Sequence, residues 1–214
     1  METDIIWDSL KFGETVLLEH DSLTFPYKEL AELIMWSKER RYTIVIEDIL
    51  DTLYTYRSQM ELAGMDPNIL NDIKVLKTGG RLEVGEVITR FQVSDILSLT
   101  KEFEMNYESI LSRIEHATVP IVGVDKLFLL AESKMEILAL VNTFTRYAGS
   151  KRRIAFYFIN TAVLMHNLPY VVPLLEELAS TVIKIYKDNE KTFEIIKSTN
   201  KRIQKILQVI KQGV

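Results

Sequence analysis

The sequence predicts an α/β fold: a mainly parallel central sheet with helices on both faces and a C-terminal antiparallel hairpin. Three observations predict it. Short apolar or β-branched runs alternate with longer amphipathic segments through the first two-thirds of the chain, the pattern of repeated strand–helix units. The runs are apolar throughout rather than alternating, as in strands buried on both faces. Near the end, Thr181 to Tyr186 and Phe193 to Lys197 flank the polar turn Asp188-Asn189-Glu190, as paired strands flank a hairpin turn.

Each element follows from local chemistry. Thr15-Val16-Leu17-Leu18 reads as a first buried strand, and a polar stretch from His20 to Thr24 leads to a helix from Pro26 to Arg40. Proline in the first turn loses no intrahelical hydrogen bond. Tyr42 to Ile46 is a β-branched second strand. Asp48 is placed to cap a helix running to Ala63, with Asp51 in its first turn and Gly64 ending it. Asp66-Pro67-Asn68 reads as a turn and Ile73 to Leu76 as a third strand. Thr78-Gly79-Gly80-Arg81, the only glycine pair, reads as a turn into a short strand from Val84 to Thr89.

From Asp95 to Ile114 the residues Ile96, Leu99, Phe103, Tyr107 and Ile110 recur at helical spacing. Val119 to Val124 reads as a strand ending in Asp125, then Ser133 to Tyr147 as a helix and Ile154 to Ile159 as a strand. Pro169 to Leu178 reads as a short helix, and Lys201 to Gln212 as a helical tail. With no internal repeat or linker, residues 1–214 are expected to form a single domain.

Composition narrows the function classes. Apolar residues make up 47% and charged residues 26% of 214, which excludes a disordered chain. No apolar run approaches the roughly 18–20 residues that span a bilayer, and the acidic start Met1-Glu2-Thr3-Asp4 does not resemble a signal peptide. The absence of cysteine excludes a disulfide, a thiolate nucleophile and a thiolate zinc site. A cytoplasmic protein is the expectation.

Charge is unevenly placed. Residues 195–214 hold five basic and no acidic side chains against a net charge of −4, which leaves −9 on the preceding chain. In that tail Ile203, Ile206, Leu207 and Ile210 form an apolar stripe among Lys201, Arg202, Lys205 and Lys211. Such a helix either docks on its own domain or presents the stripe to a partner. An acidic body disfavours nucleic acid as a partner, although Lys151-Arg152-Arg153 is a local basic patch.

Gly13-Glu14-Thr15-Val16-Leu17-Leu18, Ile121-Val122-Gly123-Val124-Asp125 and the closing pair Leu178 to Ile185 with Ile196-Lys197 together resemble the RecA/KaiC-like ATPase core. They match its glycine-led first strand, its Walker B strand and its closing hairpin. The chain is also similar to a small family of unknown function from Pyrococcus and related archaea. The resemblance implies that Asp125 helps hold Mg²⁺ through water and that Glu47 activates the attacking water.

The phosphate loop departs from the pattern. His20 stands in place of the first glycine, Phe25 of the last glycine, Pro26 of the lysine and Tyr27 of the magnesium-binding hydroxyl residue. Glycines there allow the backbone to approach phosphate oxygens, and proline removes an N–H.

Other residues admit two readings. Glu47, Asp48 and Asp51 either form an acidic Mg²⁺-binding cluster at the sheet's carboxyl edge or serve as solvated and capping groups. Lys28 is either a displaced phosphate lysine or a surface lysine. The Gly79-Gly80 pair either cradles an anion or only turns the chain. His20, His116 and His166 have no metal-ligand spacing, and no metal site is expected; outside the acidic cluster, Asp125 is the residue with a claim on one. Phe156-Tyr157-Phe158 reads as central strand.

The expected function is therefore a non-hydrolysing RecA-like binding or regulatory module, without cofactor, acting on a protein or peptide partner or on a second copy of itself. The alternatives are an ATP- and Mg²⁺-dependent ATPase using Glu47, Asp125 and Lys28, and a nucleic-acid accessory protein using the basic patches.

Overall fold

Strands with both faces apolar must be covered on both sides, and the chain does this with two helical layers around one sheet. The computed structural model describes residues 2–93, 95–186 and 193–212. The strands are β1 (Thr15–His20), β2 (Thr43–Ile49), β3 (Lys74–Thr78), β4 (Glu86–Phe91), β5 (Ala117–Val122), β6 (Arg153–Asn160), β7 (Thr181–Ile185) and β8 (Phe193–Ser198). They form one eight-stranded sheet in the order β4-β3-β2-β5-β6-β1-β7-β8. All pairings are parallel except β7 with β8. The expected fold class stands, antiparallel edge included. The expected turn at Asp188-Asn189-Glu190 lies outside the described residues.

The helices are α1 (Glu2–Ser9), α2 (Tyr27–Glu39), α3 (Thr52–Leu62), α4 (Ile96–Leu111), α5 (Val124–Leu130), α6 (Lys134–Arg146), α7 (Thr161–Asn167), α8 (Val171–Leu178) and α9 (Lys201–Gln212). Period-two alternation divides the core. Phe156 and Phe158 of β6 pack with Trp7 of α1, Leu33 of α2 and Met60 of α3. Ala155, Tyr157 and Ile159 pack with Tyr107 of α4, Leu140 of α6 and Leu175 of α8. Capping fixes two long helices where the sequence placed their starts: the Asp95 carboxylate accepts from Ser98 N and the Ser133 hydroxyl from Glu136 N.

The second strand runs to Ile49, past the expected end at Ile46, so Glu47 and Asp48 lie inside β2. The α3 N-cap is Asp51, whose side chain makes no cap bond, while Asp48 reaches forward from the strand to accept from Leu53 N at 2.9 Å. The fifth strand ends at Val122, and Gly123, at φ 83°, starts α5, so Asp125 lies in a helix rather than at a strand end. Pro120 sits in a central strand without an N–H to donate. It faces the gap in the β2–β5 ladder between the pairs Ile44–Thr118 and Glu47–Ile121.

The tail begins on its own domain. Ile203 is fully buried with Ile6 and Trp7 of α1. Asn200, just before α9, donates to Ser9 O at 2.7 Å and to Glu14 Oε1 at 2.6 Å, tying the helix start to α1 and the approach to β1. Ile203 is therefore unavailable to a partner: of the two readings of the stripe, docking on the chain's own domain holds at this residue, and Ile203 drops out of the partner-binding set. Ile206 is half-buried, and the side chains of Leu207 and Ile210 lie outside the described residues. Ile203→Ala is expected to lower stability by about 2–4 kcal/mol, measured by urea unfolding of the isolated chain. No loss would mean that the helix does not dock.

Candidate functional site at the carboxyl edge of the sheet

Parallel α/β sheets bind ligands beyond the carboxyl ends of their strands, where the chain places two turns rich in backbone N–H groups. The first follows β1. Asp21 Oδ1 accepts from Leu23 N at 2.9 Å, Thr24 N at 2.8 Å and Thr24 Oγ1 at 2.8 Å. The Thr24 hydroxyl and these amides hold the Asp21 carboxyl below the usual carboxylate range. In this loop the donors that would face a phosphate face the chain's own carboxylate.

The neighbours of the loop complete it. His20 Nδ1–H donates to Asp21 O at 2.9 Å, and burial lowers the imidazole's pKa. Ser22 and Asn160, at the end of β6, exchange hydrogen bonds at 3.1 and 3.3 Å. Pro26 is the α2 N-cap and offers no side-chain bond. Tyr27 is core, 5% exposed, and Lys28 is on the surface. Phe25 and Leu23 stand outward, 46% and 67% exposed.

The second turn follows β3. Gly79 and Gly80, at φ 62° and 72°, bring successive amides round to a concave cradle. Arg81 N and Leu82 N donate to the Asp51 carboxylate at 3.0 and 2.9 Å. A Cβ on Gly80 would stand 2.3 Å from Asp51 Oδ1, so only glycine leaves room for the carboxylate. The glycine pair turns the chain, and the amides it brings round are taken by the chain's own Asp51 carboxylate.

Lys77 joins the two acids of this corner. Its side chain is fully buried, with Nζ 2.5 Å from Asp48 Oδ2 and 2.6 Å from Asp51 Oδ1. Burial works against the charge on Asp51, but Lys77 and the amides of Arg81 and Leu82 bring its pKa down to about 2. The corner is strained: Leu50 and Asp51 are both left-handed at φ 50° and 61°. Lys126 steadies it, donating to Leu50 O at 3.1 Å and to Thr52 Oγ1 at 2.7 Å. Sequence reasoning found Asp48, Asp51 and the glycines but missed Lys77, which lies one residue past the expected end of the third strand at Leu76 and inside β3.

The remaining sequence-predicted residues are not brought together. Glu47 is buried, in register with Leu76 and Ile121, whose side chains belong to the α4/α6 layer. Burial pushes its pKa up to about 7, against the Arg153 charge and the Tyr107 hydroxyl. Asp125 lies near His20 and Tyr56, and Tyr56 packs on the other face of the sheet. Burial raises its pKa. Glu47 is therefore divided from Asp125, and from its neighbour Asp48 by strand alternation. Among the described residues, no three His, Asp or Glu side chains are grouped to hold a metal.

The basic patch is also spent. Arg153 is buried at the opposite end of β6, donating to the Tyr107 hydroxyl and lying 5.2 Å from the Tyr107 and Tyr147 rings. Arg152 donates to Ser112 O at 2.5 Å, leaving Lys151 as the exposed cation without such a role.

Lys77→Met removes the buried cation and leaves two carboxylates facing each other. Its expected cost is about 3–5 kcal/mol, read as a fall in the urea midpoint. A cost below about 1 kcal/mol, the worth of a surface pair, would contradict the buried linkage.

The comparisons with known proteins agree with this architecture. No curated protein matches the chain. The Pyrococcus horikoshii protein PH0250 is 30% identical over 95% of both chains, with a TM-score of 0.82. The KaiC-like protein PH0186 of the same organism shares the fold at 14% identity and TM-score 0.53, over 87% of this chain and 80% of its own. Also from P. horikoshii, PH0321, crystallised in complex with an unknown peptide, is 13% identical with TM-score 0.59, over 92% and 89% of the two chains. The fold is thus RecA/KaiC-like. Among the described residues no helix is long and apolar enough to cross a membrane. Residues 6–207 match the Pyrococcus proteins of unknown function designated DUF257, and the chain belongs to that family.

Proposed function

We propose that the chain, as a single RecA-like unit, is a binding or regulatory module that engages a protein or peptide at its carboxyl edge and does not hydrolyse ATP. One observation carries this reading: the Asp21 carboxylate takes the Leu23 and Thr24 amides at the phosphate-loop position. An incoming phosphate would have to displace a fixed negative charge already holding three hydrogen bonds. Pro26 supplies no N–H, and Lys28, the candidate to replace the missing lysine, lies on the surface of α2. The separation of Glu47 from Asp125 supports the same reading.

The surface left at this edge suits a peptide. Leu23 and Phe25 project from a loop whose backbone is held by Asp21, so an apolar side chain would meet a rigid platform. PH0321, which shares the fold, was crystallised with an unknown peptide. In this reading the module needs neither nucleotide nor metal, and a second copy of the chain is one candidate partner.

Thermal unfolding with millimolar ATP and Mg²⁺ tests the reading. A ligand at 100 times its dissociation constant adds about 2.7 kcal/mol to folded-state stability, so retained nucleotide binding would raise the midpoint by degrees. The expected result is no shift, together with peptide-array binding that weakens in Leu23→Ser and Phe25→Ser. A clear rise with Mg-ATP would overturn the proposal.

A further inference from the structure

Glu19 of β1 is a buried acid that faces a second acid. Leu17 and its register neighbour Val182 lie on the sheet face covered by α8, in one cluster with Val172 and Leu175. Two residues farther along the strands, Glu19 and Lys184 stand in register on that same face. Glu176 comes four residues after Val172 in α8, on the side turned to these strands. Its carboxyl is within hydrogen-bonding reach of Glu19. Glu19 is 6% exposed, and its Oε1, closed to solvent, has no hydrogen-bond partner.

Two ionised carboxylates offer each other only acceptors and like charge. Lys184 of β7 opposes the repulsion, but it is exposed, with Nζ 5.5 Å from the Tyr186 ring. Burial and the Glu176 charge outweigh it and push the Glu19 carboxyl up to about 7. Of the flanking elements, β6 brings Ile159 beside Glu19, and α7 brings Thr161, whose hydroxyl donates to His20 O. Lys197 of β8 meets α8 at the Glu176 and Glu177 carbonyls rather than at a carboxylate. Among the described residues, no third acid or histidine joins the pair to hold a metal. An oxygen closed to solvent leaves no room for a water or a cation. One proton needs no room: it cancels one charge and turns one acceptor into a donor.

We propose that Glu19 and Glu176 share one proton, a latch that holds α8 on β1 and opens as the pH rises through neutrality. Folding strengthens the hold of Glu19 on its proton. The contribution to stability is therefore complete below the ordinary glutamate value of 4.5 and is lost as the pH rises through about 7. Because α8 also packs on α6 and α7, opening the latch loosens that helical layer. The latch is independent of what the carboxyl edge binds.

Hydrogen exchange of the α8 amides in the full chain, corrected for the intrinsic rate at each pH, reads the opening. Between pH 5 and 8 the opening constant of α8 is expected to rise about tenfold or more. Burial also lifts Glu29 and Glu47 to about 7, so global unfolding would not isolate the latch, and two variants do. Glu19→Gln supplies an amide donor to Glu176 at any pH, and Glu176→Gln supplies one to Glu19. Each is expected to flatten the pH dependence of α8 and to leave that of the other helices as in the parent chain. The carboxyl carbon resonance of Glu19 in the parent chain, which needs no variant, is expected to titrate near neutrality. A rise in α8 that persists in both variants, α8 exchange that follows the other helices at every pH, or titration of Glu19 in the ordinary glutamate range would overturn the proposal.

Discussion

Lys77 lies between Asp48 and Asp51, and the geometry of the carboxyl edge hangs on that pairing. Its ammonium group has no exposure and both acids within 2.6 Å. Two carboxylates this close repel strongly unless a cation separates them, and a buried cation is tolerated only when paired. Asp48 then directs its second oxygen to the first turn of α3, and Asp51 directs its oxygens to the turn after β3. One lysine thus fixes the end of β2, the start of α3 and the Gly79-Gly80 turn. It also holds Leu50 and Asp51 in left-handed conformations that cost of order 1–3 kcal/mol each.

The same chemistry recurs beside β1 without a lysine. Asp21 gathers the Leu23 and Thr24 amides as Asp51 gathers those of Arg81 and Leu82. Backbone cradles of this kind attract oxyanions because their N–H groups converge, and both are filled from within the chain. The RecA-like architecture is retained while its most exposed donors are withdrawn from ligands. A rigid edge with outward Leu23 and Phe25 remains, and that edge underlies the functional proposal.

The fold was legible because strand burial writes itself as apolar runs and helix faces as periodic ones: the two long helices begin at Asp95 and Ser133, where the sequence reading began them, and both residues cap. The short helices α1, α5 and α7 went unread, being seven or eight residues long and too short for periodicity to register. The end of β2 was misplaced because Asp48 looks like a cap in sequence, and it does hold an α3 amide while remaining in the strand. Site chemistry was harder to read. Strand alternation put Glu47 on one face and His20 with Asp125 near the other, a division that depends on register. Lys77 is 29 residues from Asp48, and no local pattern signals that pairing.

The central claim is that internal carboxylates already occupy both amide cradles. The most direct measurement is an amide-resolved NMR titration of the chain with pyrophosphate, following Leu23, Thr24, Arg81 and Leu82. Occupied cradles predict that these four resonances stay in place while exposed lysines report only weak, unsaturable contact. Saturable shifts at Leu23 and Thr24, or at Arg81 and Leu82, would show that an external oxyanion takes the position assigned to Asp21 or Asp51, and would contradict the account.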